Sequence, residues 1–137
     1  MEDKIKIIKC DVHKIATEKE IENSLDSLQK EVDGYIEVLN IAPDICLICN
    51  EEGKIRNMPL NRSVRDENGK VFEVIAGDFA ICGETPDGDF RSLTQDELSK
   101  YKEMFRFPEE VLLINNEVFA TPYNPNSRVV NKDLERS

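Results

Sequence analysis

Residues 34–62 read GYIEVLNIAPDICLICNEEGKIRNMPLNR, and the way this stretch folds decides how the rest of the chain can be arranged. Tyr35 to Asn40 and Ile45 to Cys49 are rich in β-branched, aromatic and other apolar residues, and Ala42-Pro43-Asp44 punctuates them as a turn. The pattern predicts an antiparallel pair of strands. Asn50-Glu51-Glu52-Gly53-Lys54 then predicts a second hairpin, with Gly53 at the φ > 0 position of a G1-type bulge. Pro59-Leu60-Asn61-Arg62 closes the stretch. Its amide and its forked guanidinium make it dense in directed hydrogen-bonding groups.

Upstream, Lys4 to Cys10 alternates isoleucine with lysine, as a half-buried first strand does. Thr17-Glu18-Lys19-Glu20 has the pattern of a capping box, and Ile21, Leu25, Leu28 and Val32 follow at helical spacing. A first helix is therefore predicted from Thr17, with Gly34 as its left-handed stop. Downstream, Asn68-Gly69 marks a hairpin turn. Val71 to Ala76 is apolar on both faces except at Glu73, which predicts a central strand. Gly77-Asp78 interrupts it before Phe79 to Gly83, a bend that predicts a sheet curling toward a barrel. Asp87-Gly88 makes a further turn. Thr94 and Glu97 form a second capping box, Leu93 and Leu98 a hydrophobic staple, and Leu98, Tyr101 and Phe105 a core-facing stripe that Pro108 ends. Val111 to Ile114, Asn115-Asn116 and Glu117 to Ala120 predict a last small hairpin. The expected fold class is α+β, with a curved, mainly antiparallel sheet and two covering helices. Residues 1–120 are expected to form one domain, and residues 121–137 a poorly ordered polar tail.

The chain has 137 residues, of which 39% are hydrophobic, enough for a core without disulfide or metal support. Its net charge of -10 argues against a general binder of nucleic acid or anionic membrane, which needs excess Lys and Arg. No apolar run has the length of a membrane-spanning helix, and Met1-Glu2-Asp3-Lys4 lacks a signal-peptide pattern. The expected location is the cytoplasm of a host cell. Cys10, Cys46, Cys49 and Cys82 sit in apolar runs and read as reduced, buried thiols.

GYIE at 34–37, NEEGK at 50–54, PLNR at 59–62, VIAGDFAICG at 74–83 and SLTQDE at 92–97 occur in that order. Together they resemble a family of small uncharacterised domains of unknown function from phages and firmicute mobile elements, over roughly residues 4–108. The resemblance implies a phage, prophage or conjugative-element setting and an accessory role, with no substrate attached.

Cys46 and Cys49 have C-x-x-C spacing, but on a strand residues three apart point to opposite faces, and no second close Cys or His pair completes a zinc site. No metal and no cofactor is expected. His13, beside Asp11 and Lys14, reads as a surface-loop residue. The candidate ligand-binding residues are Tyr35, Glu37, Asn61 and Arg62. The leading reading is a non-enzymatic accessory protein of a phage or mobile element that binds and modulates a host protein. A small-molecule or nucleotide-binding domain using those four residues is the second reading. An acidic antirestriction-type DNA mimic is the third, set against the interleaving of the 28 acids with 18 bases. A hydrolase with Glu37, Asp78 or His13 as base lacks a visible catalytic partner, so no enzyme is expected.

Overall fold

A computed structural model describes residues 3–127. In chain order the elements are β1 (Lys4–Cys10), β2 (Thr17–Glu22), α1 (Leu25–Val32), β3 (Ile36–Ala42), β4 (Ile45–Asn50), β5 (Leu60–Arg65), β6 (Val71–Ala76), β7 (Phe79–Glu84), β8 (Phe90–Arg91), α2 (Gln95–Met104), β9 (Glu109–Ile114) and β10 (Glu117–Pro122). The fold is α+β, with antiparallel sheets and two helices, and the main sheet is open rather than closed into a barrel. Its strand order is β2-β1-β7-β4-β3, with the short β8 also pairing β7. The hairpins β5-β6 and β9-β10 stand apart as two-stranded sheets.

Burial follows the alternation of the central strands. Ile45, Leu47 and Cys49 of β4 join Phe79 and Ile81 of β7 in one cluster, which α2 covers with Leu98, Tyr101 and Phe105. Cys46 and Ile48 of β4 join Ala80 and Cys82 of β7 in a second cluster, under Leu28 and Val32 of α1. The two helices thus lie on opposite faces of the sheet, and the C-x-x-C thiols point into different clusters. Thr94 caps α2 with a complete capping box, since its side chain accepts from the Glu97 amide while Glu97 accepts from the Thr94 amide. Leu93 and Leu98 are both buried.

Five local expectations need correction. Thr17–Glu22 is a strand, not the first turn of a helix; it pairs antiparallel with β1, placing Glu22 opposite Lys4, Glu20 opposite Lys6 and Ile21 opposite Ile5. Complementary cross-strand charges and one buried apolar pair outweigh a capping-box pattern that has no helix behind it. The helix starts instead at Leu25, where the Ser24 hydroxyl accepts from the Ser27 amide, and it stops at Asp33, which takes the left-handed conformation itself (φ 59°). Gly53 does not close a hairpin. The chain after β4 coils through helical-type turns, with Arg56 N–H donating to the Glu52 carbonyl and Met58 N–H to that of Gly53. Gly53 is required for close approach, because a Cβ there would lie 2.7 Å from the Ala76 carbonyl oxygen. β6 is not central, since it pairs only β5 and leaves Phe72 exposed; the central strand is β7, flanked by β1 and β4. Gly77 (φ 85°) turns the chain from the small hairpin into the main sheet rather than curling a continuous one.

Residues 121–127 continue β10 to Pro122 and bring the Tyr123 hydroxyl to 2.7 Å from His13 Nδ1, while the rest of the expected tail, residues 128–137, lies outside the described residues.

Candidate functional site

Asn61 and Arg62 follow Leu60 at the start of β5 and are each 1% exposed. Asn61 Nδ2 donates to the carbonyls of Cys10 and Gly77, both at 2.9 Å. Arg62 Nε donates to the Phe105 carbonyl at 2.8 Å, Nη1 to the Asp11 carbonyl at 3.2 Å and to Asn61 Oδ1, and Nη2 to the carbonyls of Lys14 and Arg106. Burial pulls the Arg62 pKa below its usual value. These donors tie together the loop after β1, the end of α2 and the start of β5, and give buried or part-buried carbonyls such as those of Phe105 and Lys14 their partners.

Tyr35 and Glu37 lie elsewhere. Tyr35 is exposed just before β3. Glu37 opens onto a cavity of about 100 Å³ whose lining includes Cys49, Lys54 and Glu73 and neither Asn61 nor Arg62. The four residues therefore do not converge on one pocket. In this cavity Cys49 Sγ lies 3.9 Å from a Glu37 carboxylate oxygen. Burial, with the Glu37 and Glu73 carboxylates adding to it, pushes the Cys49 thiol up to about 12. Burial opposes ionisation of Glu73, yet the Lys54 ammonium and the Val74 amide hold its pKa below the usual carboxylate value. A thiol kept protonated beside two carboxylates is a weak nucleophile at neutral pH. Cys46 and Cys82 oppose each other across β4 and β7, and burial pushes them to about 11 and about 12. Asp78 is engaged as well, accepting from the Val12 amide at 2.8 Å. Among the described residues no group of three or more His, Cys, Asp or Glu is arranged to hold a metal ion. Among the same residues no helix is long and apolar enough to cross a membrane.

A larger cavity, of about 500 Å³, lies between β5 and α2. Val64, Tyr101, Met104 and Phe105 form its apolar wall, and Arg65, Lys100 and Glu109 its polar rim. Glu109 also begins β9 and accepts from the Ser63 amide at 2.8 Å, while Arg65 Nη2 donates to the Ala120 carbonyl of β10 at 3.0 Å. Those contacts anchor the base of the β9-β10 ribbon. Beyond them the ribbon leaves the body of the molecule, and Leu112, Leu113, Ile114, Val118 and Phe119 are all exposed. Register fixes which side each takes: Leu112 pairs with Phe119 on one face, and Leu113 with Val118 on the other. Asn115 and Asn116, both at positive φ (51° and 66°), close the tip.

A family model described as a domain of unknown function, DUF3846, matches residues 5–106. The chain belongs to that family. No curated protein and no solved structure gives a significant match. The DUF3846 match takes in the main sheet, both helices and the Asn61–Arg62 node, and it ends before the ribbon begins at Glu109. The last hairpin is where the sequence predicted it, with Asn115-Asn116 at its turn, but the exposure of its apolar side chains and the Cys49–Lys54–Glu73 cavity were not foreseen. The cavity had no local signal, because its residues come from β4, the turns after it and β6. The ribbon had one: Val111 to Ile114 is a run of four apolar residues, so both faces of a two-stranded hairpin are apolar.

Proposed function

We propose that this DUF3846-family protein is a non-enzymatic accessory protein of a phage or mobile element that binds a host protein through the β9-β10 ribbon, which follows the family domain. The observation that carries this reading is the set of five large apolar side chains left in water on one hairpin. Contiguous exposed apolar surface on a small domain marks an interaction site more often than chance, and an isolated two-stranded hairpin is marginal in water unless something packs against it. The mobile-element setting is supported by the five ordered motifs, and the accessory role by the engagement of Asn61, Arg62 and Asp78 in holding backbone. The test compares the full chain with a Leu113→Ser/Phe119→Ser variant as bait in host lysate, quantifying each recovered protein. A partner retained by the parent and lost by the variant supports the reading; equal recovery by both refutes it.

A small-molecule reading is favoured by one observation, the cavity of about 500 Å³ beside α2, which falls in the usual range for ligand sites. Thermal-shift screening tests it, since a ligand at a hundred times its dissociation constant adds about 2.7 kcal/mol of stability. Substitution of Tyr101 by Ala should abolish any shift that arises there.

A further inference from the structure

The ribbon has a geometry that constrains its partner, and the inference drawn from it rests on the protein-binding reading above. Leu112, Ile114 and Phe119 share one face, and Leu113 and Val118 share the other, with Leu113 70% exposed. A flat partner surface covers only one face of a two-stranded ribbon and leaves the opposite one in water. Burial of both faces needs walls on both sides.

Charge narrows the partner further. Residues 107–127 contain three glutamates, Glu109, Glu110 and Glu117, and no Lys, Arg or His. Glu109 is engaged with Ser63 at the base, whereas Glu110 and Glu117 are exposed. Glu117 pairs with Ile114, so a carboxylate stands directly beside the apolar tip. A second copy of this ribbon would bring the same exposed carboxylates and no Lys, Arg or His of residues 107–127 to meet them, and two acidic ribbons repel. The net charge of -10 adds a general repulsion between copies.

From these two features we infer that the β9-β10 ribbon is an insertion finger. It enters an apolar cleft on a different protein, whose rim carries Lys or Arg. Leu113 and Val118 face one wall of that cleft, Leu112 and Phe119 face the other, Glu110 near the base meets the basic rim, and Glu117 beside the tip meets a further Lys or Arg on the cleft floor. Asn115 and Asn116 lead, because a tight turn with two left-handed residues gives the narrowest end a hairpin can present.

The experiment places the photo-reactive amino acid p-benzoylphenylalanine at position 113 or at position 119 of the full chain, in separate preparations, and irradiates each in host lysate. Cross-linked peptides are then mapped. The expected result is one partner labelled from both positions, on two different segments that flank a cleft with Lys or Arg at its edge. Labelling should fall between roughly 50 and 500 mM salt, over which range the screening length drops below about 5 Å. A Glu110→Lys/Glu117→Lys variant should associate with that partner about tenfold more slowly at low salt, while its circular dichroism matches the parent. Labelling from one position only overturns the finger and leaves the protein-binding reading standing. Cross-links to another copy of this chain overturn it in favour of self-association. Labelling of two segments with no basic residue near them, or labelling indifferent to salt, overturns the charged rim and with it the proposal. Absence of protein labelling from either position overturns both the finger and the protein-binding reading.

Discussion

The Asn61–Arg62 node and the β9-β10 ribbon invert the usual partition of a small domain in opposite ways. At the node, a guanidinium and an amide lie within the molecule at 1% exposure; on the ribbon, Leu113 stands at 70% exposure. The node is accounted for internally, because the side-chain nitrogens of Arg62 and Asn61 donate to carbonyl oxygens and, from Arg62, also to the amide oxygen of Asn61. The ribbon is not, because among the described residues no layer covers the side chains of its apolar tip, which stay exposed. Residue type alone misleads in both places. The polar pair resembles a binding site and is fully occupied with holding backbone, whereas the plain aliphatic run is what remains unsatisfied.

The largest effect is expected at the node. Arg62→Met keeps much of the side-chain volume and orphans the carbonyls of Phe105 and Lys14, while those of Asp11 and Arg106 keep the Lys14 and Ala16 amides. Each buried acceptor left without a partner costs about 1–3 kcal/mol, so after partial relief by water the variant should lose roughly 3–5 kcal/mol in urea unfolding. Arg62→Lys should recover little, since an ammonium cannot reproduce the fork that reaches three chain segments. A loss below about 1 kcal/mol would show that the node is not what joins these segments.

Helix capping comes next. Thr94→Ala should cost about 0.5–2 kcal/mol, because the Glu97 amide loses its acceptor. Thr17→Ala should change stability by less than about 0.5 kcal/mol, since Thr17 is an exposed strand residue. Equal losses at the two threonines would restore a helix at Thr17. The same cap predicts a pH response. Glu97 receives Arg91 Nη1 at 2.8 Å and Nη2 at 3.2 Å, which holds its pKa down to about 2 from an ordinary 4.5. A carboxylate with a depressed folded-state pKa stabilises fully above its unfolded value and loses that contribution as pH falls through the folded one. Stability should therefore decline between pH 4.5 and 2, and Glu97→Gln should flatten that part of the profile. Titration of Glu97 followed by carboxyl NMR should give a midpoint near 2.

The legibility of the fold tracks how local its causes are. α2 was readable because capping box, staple and apolar stripe agree over Leu93 to Phe105. The start of α1 was not. Ile21 fits a helical stripe with Leu25 and Leu28, yet it also fits a strand opposite Ile5, and only the approach of β1 decides between them. The β5-β6 hairpin has an Asn-Gly turn that marks its existence, while its separation from the main sheet depends on Gly77 and on the coil between β4 and β5. The opposite facing of Cys46 and Cys49 followed from strand alternation alone. Asn61 and Arg62 were visible as unusual residues. Their burial was not, because it depends on the loop after β1 and the end of α2 meeting at β5. Glu37 was correctly placed on a strand, but Cys49, Lys54 and Glu73 reach it only through tertiary packing.

The smallest effect on folding is expected on the ribbon, and that small size is the sharpest contrast with the node. Replacing an exposed apolar residue removes little buried area, and area removed from water sets the hydrophobic contribution at about 25 cal/mol per Å². Leu113 and Phe119 point to opposite faces of the hairpin, so Leu113→Ser/Phe119→Ser tests both at once. Ser has lower strand propensity than Leu or Phe and forfeits the cross-strand pairs with Val118 and Leu112, each worth about 0.2–1 kcal/mol. Against this, the unfolded chain also carries less apolar surface. The net change in urea unfolding should stay within about 0.5 kcal/mol. The main-sheet amides should keep their hydrogen-exchange protection, because the anchors of the ribbon, Glu109 to Ser63 and Arg65 to Ala120, are untouched. A loss of 2 kcal/mol or more by this measurement would mean that the ribbon packs on the body and belongs to the core, and its exposed face would then need no partner to account for it.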